Sequence, residues 1–234
     1  LSDLSRSFYQ DACHGHAIVY ADEISNRKTR PYITYPQGNF ASPVFHGERP
    51  DPMPHYEMTG NPVSIAFSEQ SPPVKMRSFK LYQDTKEIKD IKILDKDNDP
   101  NRLLTDRQFA LFPLQPLEYD TDYLAVFEYR QNGKNRTTEW TFSTQKPDYP
   151  YFIVKGGETL AIESGQKYFI HWQDFWCLKQ CERYNYRMNR DTQIDIIERQ
   201  AGGIIIRVNG SKGSSIRLMP EGEDRRAITL YLWK

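Results

Sequence analysis

Oxygen-bearing side chains at alternate positions are the first chemistry this chain offers. Asp95, Asp97 and Asp99, with Asn101 beyond them, present oxygens at the spacing of a calcium loop, and Asp106 falls at the twelfth position of an EF-hand count. Pro100 holds the sixth position, where that loop requires glycine, and no glutamate closes the site. The same residues also read as a solvated acidic loop, and these departures favour that reading over a calcium site. A second set is His14, His16, His46 and His55 with Glu48, Asp51 and Glu57. Two or three of them converging would make a His-carboxylate metal site or a general base. His14 and His16 share a face if that segment is a strand, but nothing in the sequence brings them to residues 46–57. The plainer reading is scattered loop histidines, with Glu48 and Asp51 as caps and turn formers.

A third set is aromatic: Trp172, Phe175 and Trp176, with Asp174 among them. Aromatic platforms beside acids and amides bind sugars or peptides, so these four residues are candidates for a binding site. In the alternative, Trp172 continues the face of Tyr168 and Ile170 into a core, and Trp176 packs on a stapled loop. The staple would be a Cys177–Cys181 disulfide, since Cys-x3-Cys without a further Cys/His pair makes a poor zinc site. Such a bond implies an oxidising compartment. Cys13 is then left over. Ser164-Gly165 and Gly210-Ser211 lack the strand-turn-helix context of a nucleophile elbow. There is no glycine-rich phosphate loop. Asn135 and Asn209 begin glycosylation sequons, which are common by chance.

The elements that would position these groups are strands. Tyr123, Ala125, Phe127 and Tyr129 alternate with Leu124, Val126 and Glu128; Asn132-Gly133 follows, then a second alternating run through Thr138, Trp140, Phe142 and Thr144. Asn-Gly between two such runs predicts a hairpin. Leu117 and Tyr123 have the spacing of a tyrosine corner, so the stretch reads as the last hairpin of an immunoglobulin-like β-sandwich. Upstream, Val63, Ile65 and Phe67 form one strand; Val74, Met76, Phe79 and Leu81 a second; Ile88, Ile91, Ile93 and Leu94 a third; Phe109 and Leu111 a short fourth, ended by Pro113. Residues 31–60 carry Pro31, Pro36, Pro43, Pro50, Pro52 and Pro54, which suit loop or edge strand and not central sheet.

Lys146-Pro147-Asp148-Tyr149-Pro150 reads as a linker. Beyond it, Ile153, Leu160 and Ile162, Tyr168 to Trp172, Ile194 to Ile197, Ile204 to Val208, Ile216 and Leu218, and Ile228 to Leu232 mark further strands. The expected organisation is all-β. It comprises an N-terminal stub of short helix and strand (1–30), an immunoglobulin or fibronectin III-like sandwich (31–146), and a smaller β-sandwich or barrel (147–234).

Bulk properties narrow the partners. Lys and Arg total 31 and Asp and Glu total 31, so the net charge of zero leaves no electrostatic footprint for nucleic acid. No apolar run approaches the ~20 residues that span a bilayer. The 234 residues begin at Leu1, without signal peptide or initiator Met, which reads as a processed piece of a longer protein.

The segments TYPQGNFASPVFHGERPDPMP, TGNPVSIAFSE, RQFALFPLQPLEYDTDYLAVFEY and WTFST, spanning Tyr35 to Thr144, resemble the accessory region that follows the core domain in bacterial proteins of the CAP (cysteine-rich secretory protein) superfamily. Glu48-Arg49-Pro50-Asp51-Pro52 is the most specific piece. Residues 1–30 are too short for a CAP core, so the resemblance implies an accessory module, secreted or periplasmic, without the CAP pocket. Residues 147–234 have no such counterpart. The expected function is therefore non-catalytic: binding or scaffolding of a protein partner or an envelope glycan, with no cofactor. The alternative is a metal-dependent or hydrolytic site built from His14, His16, His46 and Glu48.

Overall fold

Alternation of apolar and polar residues makes the sheets, and proline decides where they end. The computed structural model describes residues 10–11, 16–17, 31–46, 49–173, 175, 183–188, 191–200 and 202–234. Contacts divide the chain into two units, Leu1–Lys146 and Pro147–Lys234. Among the described residues every regular element is a strand except one 3-10 turn at Asp224–Arg226, and no helix is long and apolar enough to cross a membrane.

In the first unit the strands are β1 (Gln10–Asp11), β2 (His16–Ala17), β3 (Tyr32–Tyr35), β4 (Gly38–Ala41), β5 (Val44–Phe45), β6 (Thr59–Gly60), β7 (Val63–Phe67), β8 (Lys75–Gln83), β9 (Lys86–Glu87), β10 (Ile91–Leu94), β11 (Gln108–Pro113), β12 (Asp122–Gln131) and β13 (Lys134–Thr144). One sheet has the order β10-β11-β7-β3 and the other β4-β13-β12-β8-β9. The chain crosses from the first sheet to the second between β3 and β4, and β4 runs parallel to the last strand β13. That crossover and the β13-β12-β8 order are the immunoglobulin-like arrangement. Gln10–Asp11 is strand, pairing with His16–Ala17, where helical spacing had suggested helix. The rest of the stub expected over 1–30 lies outside the described residues.

The β12–β13 hairpin turns through Asn132 and Gly133 at φ 51° and 76°, the two positive values a two-residue turn of this kind needs. Tyr123 forms the tyrosine corner: its hydroxyl accepts the Glu118 amide at 2.9 Å, and Leu117 is buried beside it. Burial pushes this phenol well above its ordinary pKa. Tyr123→Phe removes the acceptor and strands that amide, so we expect a loss of about 1 kcal/mol in urea unfolding. An unchanged midpoint would show that the corner is ornamental.

Phe127 is the hub between the sheets, with Phe79 and Phe109 rings each 5.1 Å away and Phe67 at 6.2 Å. Met76 and Phe79 have opposite parity yet join the same core. A register shift opposite Glu128/Tyr129 allows this, pairing Phe79 with Phe127 and Met76 with Tyr129. Pro113 ends β11, as its last residue, and pairs with Ile91 of the edge strand β10.

β7 and β11 are buried along their whole length. Their inward residues fill the sandwich, and their outward residues Ala66, Ala110 and Phe112 enter a second apolar cluster with Phe45, Met53, Leu94 and Leu104. The proline-rich chain between β4 and β7 thus lies over the outer face of this sheet. Phe45 meets Phe112 edge-on at 5.5 Å.

The second unit contains β14 (Tyr151–Val154), β15 (Thr159–Ile162), β16 (Lys167–Trp172), β17 (Tyr184–Met188), β18 (Thr192–Gln200), β19 (Gly203–Gly210), β20 (Ser215–Pro220) and β21 (Ile228–Leu232). They form two four-stranded sheets, β14-β16-β19-β18 and β15-β21-β20-β17. This is a sandwich and not a barrel. Ile162, Ile170, Trp172, Ile204, Ile206, Ile216, Leu218 and Leu230 fill it. A register shift after Ile196 leaves Ile197 as the extra residue, turned to solvent.

Candidate functional site

The acidic loop spends its oxygens on its own backbone. Asp95 Oδ1 accepts the Asp97 and Asn98 amides at 3.0 and 3.3 Å. Asp99 Oδ1 accepts the Asn101 amide at 3.0 Å, and its Oδ2 accepts those of Leu103 and Leu104 at 2.7 and 3.0 Å. Asp99 is buried, 5% exposed, which the reading of a solvated loop did not anticipate. Asp97 stays on the surface. Among the described residues no group of three or more His, Cys, Asp or Glu side chains could hold a metal ion.

The loop around Asp51 is built in the same way and is joined to the acidic loop. Asp51 Oδ1 accepts the Met53 amide at 2.8 Å, an Asx turn that directs Met53 into the second apolar cluster. Asn101 Nδ2 donates to the Asp51 carbonyl at 2.8 Å. The two segments that looked most chemical in the sequence therefore meet, and what they build is a cover over Phe112 and Ala110. Asp99→Ala would leave three amides without acceptors, so about 2–4 kcal/mol of stability should be lost in urea unfolding. A shift under about 0.5 kcal/mol, the usual size for a surface change, would refute this role.

His46 is exposed, and His16 lies in β2. His14 and Glu48 lie outside the described residues, so their convergence with His46 is not described.

The aromatic cluster divides. Trp172 has no accessible surface; its Nε1 donates to the Arg226 carbonyl at 2.8 Å, and its ring lies 5.6 Å from that of Tyr184. It is a core residue, because β16 alternation carries the face of Tyr168 and Ile170 through to position 172. It offers no platform to a ligand. Phe175 is half-buried under the Arg226 guanidinium, 4.9 Å from its ring centre, while Arg226 Nη1 donates to the Gln173 carbonyl at 2.9 Å. Asp174, Trp176, Cys177 and Cys181 lie outside the described residues.

Two buried groups escaped the sequence reading. His171 is wholly buried, its Nδ1 2.9 Å from the Gly202 carbonyl. Burial pushes Tyr184 up to about 12, with Arg199 pulling the other way, and among the described residues its hydroxyl has no hydrogen-bond partner. Tyr184→Phe removes a buried polar atom that satisfies nothing. In contrast to Tyr123→Phe, it should leave thermal stability unchanged or raise it by up to about 1 kcal/mol. A clear loss would mean that this hydroxyl is engaged. At the turn before β15, burial acts to raise the pKa of Glu158. The amides of Lys155, of Glu158 itself and of Gly156 outweigh it and hold the carboxyl below the usual range.

No family model matches the chain, and no curated protein matches it. Solved structures similar to it include domains 4 and 5 of the S-layer protein SbsC, at 13% identity over 68% of this chain and 100% of that one, with a TM-score of 0.24. Others are the titin I-band fragment I67–I69 (10% identity, 87% and 66% covered, TM-score 0.24) and titin A168169 (10%, 87% and 99%, TM-score 0.27).

Proposed function

We propose that this chain is a non-catalytic pair of β domains, the first immunoglobulin-like, from a larger extracytoplasmic protein, and that it docks a protein partner or an envelope glycan. The observation that carries this reading is the use to which its motif residues are put. Asp51, Asp95 and Asp99 hold backbone amides, and Trp172 fills a core. What is left for function is surface on two sandwiches, and a sandwich meets its partners through faces and edges. The resemblance of residues 35–144 to a CAP-associated accessory region supports an extracytoplasmic setting, as does the Cys177–Cys181 pair if it is oxidised.

Two measurements test the proposal. With Cys177 and Cys181 bonded, the denatured, unreduced chain should titrate one thiol of its three cysteines, Cys13. Three free thiols after secretion into an oxidising compartment would remove that support. The purified chain should also be retained on cell-envelope material or by a protein partner; passage through both, with the fold intact, would defeat the binding role.

A further inference from the structure

In the sheet β15-β21-β20-β17, Ile216, Leu218, Ile228, Leu230 and Leu232 point inward and are buried. The intervening residues form the outer face. Here Arg187 of β17 pairs directly with Arg217 of β20, and Arg217 with Thr229 of β21. Like charges directly opposite one another on neighbouring strands are destabilising. Both arginines are exposed, and among the described residues neither has an ion-pair partner. At the ends of β15 and β20, Glu163 pairs with Lys234 at 3.2 Å and Glu221 with Arg183 at 4.0 Å. On the same alternation, Tyr231 and Trp233 stand outward, 39% and 40% exposed. Lys234 sits over the Trp233 ring at 4.4 Å, and the Tyr231 ring is uncovered by any cation among the described residues.

We infer that this face binds a linear polysaccharide of uronic acid units. The inference rests on the binding-module reading above and gives it a site and a ligand chemistry, built from residues other than Trp172 and Trp176. Two guanidinium groups side by side can hold carboxylates of one chain, because each planar fork can take one carboxylate through two parallel hydrogen bonds. Adjacent strands are about 4.8 Å apart, close to the advance of one sugar along an extended chain. Tyr231 is a diagonal neighbour of Arg217, about 7–8 Å away along the sheet, where its ring can receive the C–H face of the next sugar. The unfavourable Arg187–Arg217 pairing becomes favourable when an anion lies between them.

The test uses the full chain and polygalacturonate, with neutral dextran and dextran sulfate for comparison. Wild type should bind polygalacturonate, more weakly as salt rises. Arg187→Gln/Arg217→Gln should weaken binding at least ~10-fold, the scale of losing charge-assisted contacts. Tyr231→Ala should weaken it several-fold with less effect on the salt dependence. All are surface changes, and unchanged circular dichroism and melting would confirm the fold. Absence of wild-type binding, a double variant within twofold of wild type, or equal binding of neutral dextran or dextran sulfate would each overturn the inference. Undiminished retention of the double variant on envelope material would remove this site and leave the binding-module reading standing.

Discussion

Gly203→Ala should unfold the second unit. A Cβ at this position would lie 2.0 Å from the Ile170 carbonyl oxygen, 2.9 Å from its carbon and 3.0 Å from His171 Cα. All three are backbone atoms of β16, which pairs with β19 here, so no side chain can swing aside. The two strands must separate or slip, and both carry core residues, Ile170 and Trp172 on one, Ile204 and Ile206 on the other. Losing that pairing removes ladder hydrogen bonds and opens the core together. We expect at least about 4 kcal/mol of destabilisation, in the exceptional range for single substitutions. For a unit of this size that is a fall of roughly 15–30 °C in Tm. Hydrogen exchange should show loss of protection across residues 147–234 while β12 and β13 stay protected. A melting point within a few degrees of wild type would refute the packing argument.

Trp172→Ala should have the next largest effect, about 3–5 kcal/mol, because it removes the largest wholly buried side chain of the second core. The variant also frees the Arg226 carbonyl and takes away the ring against which Tyr184 packs. Trp172→Phe separates these contributions. It keeps most of the apolar volume but loses the indole donor, so a smaller loss of about 1–2 kcal/mol is expected. A ligand platform would behave otherwise: Trp172→Phe would then alter binding and leave unfolding untouched. Denaturant unfolding of the two variants in parallel distinguishes these cases, and equal stability of Trp172→Ala and wild type would exclude the core role.

These two sites differ in how far the sequence announced them. Tyr168, Ile170 and Trp172 share one parity, so burial of Trp172 was readable as the alternative to a binding platform. Gly203 lies between the runs Ile194 to Ile197 and Ile204 to Val208, where a glycine suits any turn. Its constraint comes from Ile170, more than thirty positions away, and no local pattern encodes a neighbour's carbonyl. The parity breaks at Met76/Phe79 and Ile196/Ile197 were visible in the sequence, but their cause, a register shift against the partner strand, was not. The proline-rich segment was readable as loop and edge. Its role as a cover was hidden because a chain without periodicity carries no mark of the face it will lie on. The acidic loop read as solvated, and the burial of Asp99 was hidden for a related reason: carboxylates that bind amides and carboxylates left in solvent have the same spacing. Only the direction of the oxygens separates them, and that is set by the fold around Asp51 and Asn101.

The sequence by itself determined most of the long strands, the Asn132-Gly133 hairpin, the tyrosine corner and the immunoglobulin-like class. These rest on interactions between residues close in the chain, namely alternation, turn dihedrals and a five-residue hydroxyl-to-amide bond. Tertiary structure alone decided which carboxylates are spent on backbone, which strands are buried on both faces, and that Arg187 stands opposite Arg217. Each of these depends on pairing or packing between segments far apart in the chain, where closure and register, not local preference, choose the neighbour.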